Sequence, residues 1–220
     1  MADVLPGFSY AADSGRFRNL NTGRFVSRGD INGLLTEQVQ TAESRMRDLA
    51  TAFHEGRIAP ASFVDLASTE IKRLALQNEA LAKGGFDRLN FSDYGRAGAT
   101  LRDTYQRIIG SAQDVADGKV TLPQLLNRMD SYVGEGRKLY YETQRQNAPV
   151  APEGMTTLYR RILDAAAQHC ASCVSYYDAG WQTSYVSPGD QCECKGNCRC
   201  TVTQRDVPTS ELSDWIGTKR

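Results

Sequence analysis

The sequence predicts a mainly α fold: a bundle of about four to five helices arranged as two helical hairpins, with an extended N-terminal arm and a small Cys-rich C-terminal knuckle. Three observations carry this expectation. Apolar residues recur at spacings of three and four through residues 30–148, the pattern of amphipathic helices. No stretch sustains the period-two alternation of a sheet, and Val186, Val202 and Val207 allow one or two short strands in the tail. All six cysteines lie between Cys170 and Cys200, in a tail of polar composition.

Residues 1–29 read as the arm. It carries an echo, Gly15-Arg16-Phe17 and Gly23-Arg24-Phe25, set among turn-forming asparagines and glycines. Such a segment buries little by itself. It either packs back on its own body or docks on a partner, with Arg16, Phe17, Arg24 and Phe25 as the candidate contacts.

Residues 30–148 read as the helical bundle. Ile31, Leu35, Val39, Ala42, Met46, Leu49 and Phe53 share one helical face, with Asp30 as the expected N-cap. Phe63, Leu66, Ala67, Ile71, Leu74, Asn78 and Leu81 form a second stripe after Pro60, and Lys83-Gly84-Gly85 supplies its stop. Leu101, Tyr105, Ile108, Ala112 and Val115 form a third, with Ser92 as the expected cap. Leu122, Leu125, Met129, Tyr132, Val133 and Tyr140 form a fourth, opened by Thr121-Leu122-Pro123-Gln124, a Thr-x-x-Gln capping box. Glu55-Gly56-Arg57-Ile58 and Asp117-Gly118-Lys119-Val120 punctuate the two pairs alike. Both read as turns inside helical hairpins, and short links favour antiparallel neighbours.

Residues 149–220 follow the break Ala148-Pro149-Val150-Ala151-Pro152 and read as one final helix plus the stapled tail. Cys170-x-x-Cys173 precedes Cys192-x-Cys194-x-x-x-Cys198-x-Cys200. Two cysteines three apart aim both sulfurs at one ion when the chain turns between them, and a second cluster completes a tetrahedral thiolate site. Cys170, Cys173, Cys194, Cys198 and Cys200 are the expected zinc ligands, Cys192 is the expected spare, and His169 is an alternate. Gly196-Asn197 suits the tight turn of a knuckle. Disulfides are the competing device, since six is an even number. Either staple replaces hydrophobic burial that the tail cannot supply.

Composition narrows the function. Lys and Arg total 26 against 26 for Asp and Glu, so the chain is not a polycation built to coat nucleic acid. Mean hydropathy is −0.47, and no apolar run reaches the ~18 residues of a membrane span. The N-terminus has no basic-then-apolar leader pattern. Only two histidines exist, His54 and His169, and no H-E-x-x-H, nucleophile elbow, Walker loop or dinucleotide fingerprint is present. The expectation is a protein that is not an enzyme.

Gly118-Lys119-Val120-Thr121 with Leu125, Arg128, Met129 and Tyr132, then Cys170-x-x-Cys173, Gly180-Trp181, Ser187-Pro188-Gly189-Asp190 and Cys194-Lys195-Gly196-Asn197-Cys198-Arg199-Cys200, resembles the head morphogenesis and minor capsid proteins of tailed bacteriophages, including the Mu F-like group. The resemblance covers roughly residues 117–203, and residues 1–30 loosely. Where that family has His-Pro before Asn-Cys-Arg-Cys, this chain has Cys194-Lys195-Gly196, and Cys192 has no counterpart.

The resemblance implies a structural virion protein, a minor head component in several copies, contacting portal or capsid proteins, assembled in the host cytoplasm. Trp181 and Tyr185 join the arm residues as candidate partner contacts. DNA contact is expected to be minor, and no membrane is involved. The alternative function is a zinc-dependent nucleic-acid-binding module acting in DNA packaging.

Overall fold

Four long helices form where the apolar stripes run. The computed structural model describes residues 5, 7–147, 150–165, 167–189, 191–194 and 198–219. In it α1 spans Arg28–His54, α2 Pro60–Lys83, α3 Phe91–Ala116 and α4 Leu122–Asn147. α4 lies against both α1 and α2, and α3 packs on α2. Leu35, Val39, Ala42, Met46 and Phe53 on α1, and Phe63, Ala67, Ile71, Leu74 and Leu81 on α2, are buried. Leu66, placed by spacing in that second stripe, is instead exposed.

The two Gly turns share one geometry. Gly56 has φ +73° and Gly118 φ +67°. Arg57 N–H donates to Ala52 O at 2.8 Å and Gly56 N–H to Phe53 O at 2.9 Å; Lys119 N–H donates to Asp114 O at 2.8 Å and Gly118 N–H to Val115 O at 3.0 Å. These are paired Schellman closures, each needing a left-handed residue after the helix. Ile58 and Val120 then dip into the same core. Phe53 and Phe63 stack across the first hairpin with centroids 4.5 Å apart.

Helix starts differ slightly from expectation. Ser27 caps α1 and Asp30 is its capping-box partner; Asn90, not Ser92, caps α3 with Asp93 as partner. Asp93 N–H donates to Asn90 Oδ1 at 3.2 Å while Asp93 Oδ2 accepts from Asn90 N–H at 2.8 Å. At Thr121 the amide donates to Gln124 Oε1 at 2.9 Å, the expected backward bond.

Close packing of α2 on α4 depends on Gly136, where a Cβ would sit 2.9 Å from Leu74 Cδ2. Asn78 Nδ2 donates to Gly136 O at 2.9 Å at the same crossing, while its Oδ1 is buried without a partner among the described residues. Beside it lies a charged network. Arg96 binds Glu79 and, at 2.9 Å, Asp93, whose other oxygen takes Lys83 Nζ at 2.6 Å. Glu79 and Asp93 are almost fully buried, so burial without these cations would be costly.

The N-terminal segment is not extended. β1 (Phe8–Ala11) and β2 (Arg16–Asn19) pair as an antiparallel hairpin. Alternation along a strand points successive side chains to opposite faces. Phe17 therefore enters a second core with Leu35, Leu81, Tyr140 and Tyr141, while Arg16 and Arg18 point outward and stack on Phe25 at 4.6 and 4.7 Å from its centroid. The echo thus splits into one inner and one outer phenylalanine.

The expected final helix is also a strand. β3 (Met155–Ile162) pairs antiparallel with β4 (Thr201–Pro208), from Met155 opposite Pro208 to Ile162 opposite Thr201. Thr156, Thr157 and Ile162 are β-branched and Tyr159 is aromatic, which suits a pleated surface. Two short helices follow the break: α5 (Ala171–Asp178) and α6 (Leu212–Trp215). On one sheet face Leu158 and Val207 pack with Trp181, Leu212 and Trp215. Gly180, at φ +68°, admits the chain end: a Cβ there would lie 2.5 Å from Thr218 O.

Candidate metal centre

The register of the tail sheet builds the site. Ile162 opposite Thr201 brings the end of β3 and the start of β4 together, and the cysteine segments leave from that end. Cys170 is the N-cap of α5, so Cys173 sits in its first turn and faces inward. Cys198 and Cys200 run directly into β4. Arg199, between them, reaches α1, where Glu43 accepts at 2.9 and 3.2 Å. Tyr185 OH donates to Tyr141 O on α4 at 3.1 Å. These two contacts seat the tail against the bundle.

Four sulfurs converge. Cys173, Cys192, Cys194 and Cys198 have all their Sγ atoms within 4.8 Å of one another, able to hold a metal ion. Cys173 Sγ lies 3.5 Å from Cys194 Sγ and 3.7 Å from Cys198 Sγ. A disulfide bond is ~2.05 Å, so these are neighbours and not bonded pairs; all six cysteines are free. Two thiolates on a tetrahedral zinc, at Zn–S about 2.3 Å, stand about 3.8 Å apart. The spacing suits one such ion.

The membership differs from the sequence expectation at three positions. Cys192, expected as the spare, belongs to the quartet. Cys170 and Cys200 lie outside it: Cys170 neighbours Cys173 and Cys194, and Cys200 Sγ lies 3.6 Å from His169 Nδ1. The expected Gly196-Asn197 turn lies outside the described residues.

Electrostatics favour negative charge here. A hydrogen bond from the Cys200 thiol, the Cys173 thiol and the nearby Arg161 hold Cys198 down to about 4 against burial. Burial pushes Cys173 up to about 12 and raises Cys192. Cys194 is raised by burial and by its thiol neighbours, and Cys200 by its bond to Cys198. Cys170 is drawn down to about 7, since the amides of Cys173 and Cys194 outweigh burial. The metal-free cluster therefore concentrates one thiolate at Cys198, with protons held on its neighbours. A cation that displaces those protons converts the set to thiolate ligands.

Arg161 is the residue that sequence reasoning missed. It is 4% exposed on β3, and its Nη2 donates to Val186 O at 3.2 Å and lies 3.9 Å from Cys192 Sγ. Its Nη1 is buried without a partner among the described residues. A buried guanidinium requires nearby negative charge, and the thiolate cluster supplies it. The sequence carried no signal for it beyond the Arg160-Arg161 pair in a segment expected to be helical.

The partner-contact candidates separate. Arg16, Arg24 and Phe25 are exposed. Phe17 and Trp181 are 7% and 3% exposed, held inside the second core and the sheet core, so they are not free for a partner. Tyr185 is half-buried, with its ring 5.2 Å from Tyr159.

No family model, curated protein or solved structure matches the chain.

Proposed function

We propose that the chain is a non-enzymatic structural component of a tailed-phage head, contacting portal or capsid protein, with its C-terminal unit locked by a zinc ion on Cys173, Cys192, Cys194 and Cys198. One observation carries the reading. The C-terminal residues of the resemblance gather in a single small unit, while its Gly118–Tyr132 part lies in the bundle: Cys173 and Cys198 stand at the thiol cluster, Trp181 in the sheet core, and Ser187 is buried with its carbonyl beside Arg161. That unit is held to the bundle by Arg199–Glu43 and Tyr185–Tyr141.

The metal's contribution is mechanical. The C-terminal unit has one small apolar core around Leu158 and Trp181. Its cysteine segments carry no apolar stripe of their own, so coordination supplies the cross-link that burial does not. The bundle folds by burial and needs no such device. The exposed outer face of the N-terminal hairpin, with Arg16, Arg24 and Phe25, is the surface offered to a neighbouring subunit.

The test is occupancy. Heads purified from the phage or prophage that encodes the chain, washed in high salt and quantified by mass spectrometry, should retain the chain at fixed copy number. Heads that lack it, with the chain free in the lysate, contradict the reading.

A further inference from the structure

We infer that the cleft between the N-terminal hairpin, the end of α4 and β4 binds a nucleoside monophosphate. The hairpin, α4 and the tail sheet meet there and leave a cavity of ≈ 410 Å³. Sites that take small organic ligands run to about 300–1,000 Å³, so the volume suits one such molecule.

The wall matches the parts of that ligand. Its charged members are Arg16 and Arg145, and no carboxylate lines it. The whole chain carries 26 basic and 26 acidic side chains, so a gap left by loose docking would show both signs. The Arg145 guanidinium stands over the Tyr185 ring, 5.4 Å from its centroid. Arg16 Nη2 lies 3.5 Å from the carbonyl oxygen of Val26, which is also on the wall. A guanidinium presents forked donors that match the oxygens of a phosphate.

The rest of the wall suits a flat heterocycle. Phe17, Leu81 and Tyr140 line the cavity and are buried. Tyr10 and Tyr185 line it as half-buried rings. Tyr185 OH is already committed to Tyr141 O at 3.1 Å, so Tyr185 offers its ring. Aromatic side chains take any base on their faces. Gln144 from α4 and Gln204 from β4 line the cavity too, and each carboxamide carries both a donor and an acceptor for the edge of a base. A bare anion has no use for the rings, and an apolar ligand has none for two guanidiniums. A base carrying a phosphate uses both. Binding is reversible, with no covalent step.

The experiment is calorimetric titration of adenosine monophosphate into the purified full chain at low salt. It should bind saturably at one site per chain. Adenosine alone and inorganic phosphate alone should each bind at least about tenfold more weakly, since each lacks one half of the contacts. Arg145→Gln should weaken adenosine monophosphate by a similar factor. Arg16 and Arg145 are exposed, so the Arg16→Gln/Arg145→Gln double variant should keep its circular dichroism and lose the binding. Absence of saturable binding to the unsubstituted chain overturns the site. Inorganic phosphate that binds as tightly as the nucleotide overturns the part given to the rings. Undiminished binding by the folded double variant overturns the part given to the arginines. Competition separates two sources of the same chemistry. Displacement by a short 5′-phosphorylated single strand supports a strand end as the ligand, and failure to displace supports the free nucleotide.

Discussion

The guanidinium of Arg161 lies 3.9 Å from Cys192 Sγ inside the tail, with no carboxylate partner among the described residues. A zinc ion with four thiolates carries a net charge of −2, and this cation offsets part of it. Replacing Arg161 with Met keeps the stem and removes the charge. Groups that support a metal site from outside the ligand set typically change affinity by roughly 10–100-fold. Competition with a chromophoric chelator should therefore show R161M losing zinc at least about tenfold more readily, with R161K in between.

Chelation should separate the two parts of the molecule. The bundle core is built from α1–α4 and contains no cysteine. On removal of metal with a strong chelator under reducing conditions, hydrogen exchange should accelerate in β3, β4 and α5. Exchange in α1–α4 and most of the far-ultraviolet helical signal should persist. Loss of the helices together with the tail would show that the bundle depends on the staple.

Gly84 ends α2 in a left-handed conformation, φ +94°, and the Tyr10 ring rests on it, 2.1 Å from where a Cβ would stand. G84A should cost about 1 kcal/mol for the backbone alone, and more because the hairpin must lift. At about 2–4 °C per kcal/mol for a chain of this size, calorimetry should show a fall of several degrees. G33A, where a Cβ meets nothing within 4 Å, should not lower stability.

The buried network on α2 and α3 predicts an acid limb. For Asp93, burial raises the carboxyl pKa, but the Asn90 amide, Lys83 and Arg96 together outweigh it and leave the pKa lowered. Its stabilising contribution is present above the ordinary aspartate range and is lost as pH falls through its folded value. Glu79 is raised, chiefly by burial with Arg96 opposing, so protonation there acts in the other direction. Urea melts should show D93N destabilised at neutral pH, with the gap to the unsubstituted chain narrowing as pH falls below about 4. R96M leaves Glu79 buried without its cation and should cost about 3–5 kcal/mol at neutral pH.

The sequence made the bundle legible because helical stripes are long and redundant. Leu35 to Phe53 and Phe63 to Leu81 each span several turns, so one misplaced member such as Leu66 does not alter the element. Gly56 and Gly118 announced their turns because only the left-handed conformation closes both Schellman bonds. The α1 cap shifted by three residues because Ser27–Asp30 is a reciprocal pair and either end looks like the cap; at α3 the expected Ser92 is itself bonded to the true cap, its amide and hydroxyl both donating to Asn90 Oδ1.

The tail was less legible for a physical reason. β3 buries Leu158 and Arg161 on opposite faces against different partners, so no period-two pattern survives in its composition. The cysteine spacing located the thiol cluster, but spacing alone does not say which sulfurs face inward. The pairing of Ile162 with Thr201 and the start of α5 at Cys170 decide that, and both depend on contacts distant in sequence.

The central claim is a thiolate-bound metal in the tail, and X-ray absorption at the zinc edge on the purified full chain tests it most directly. The account predicts a first shell of sulfur at about 2.3 Å. A shell of oxygen and nitrogen alone, or protein that retains no zinc after dialysis, would contradict it.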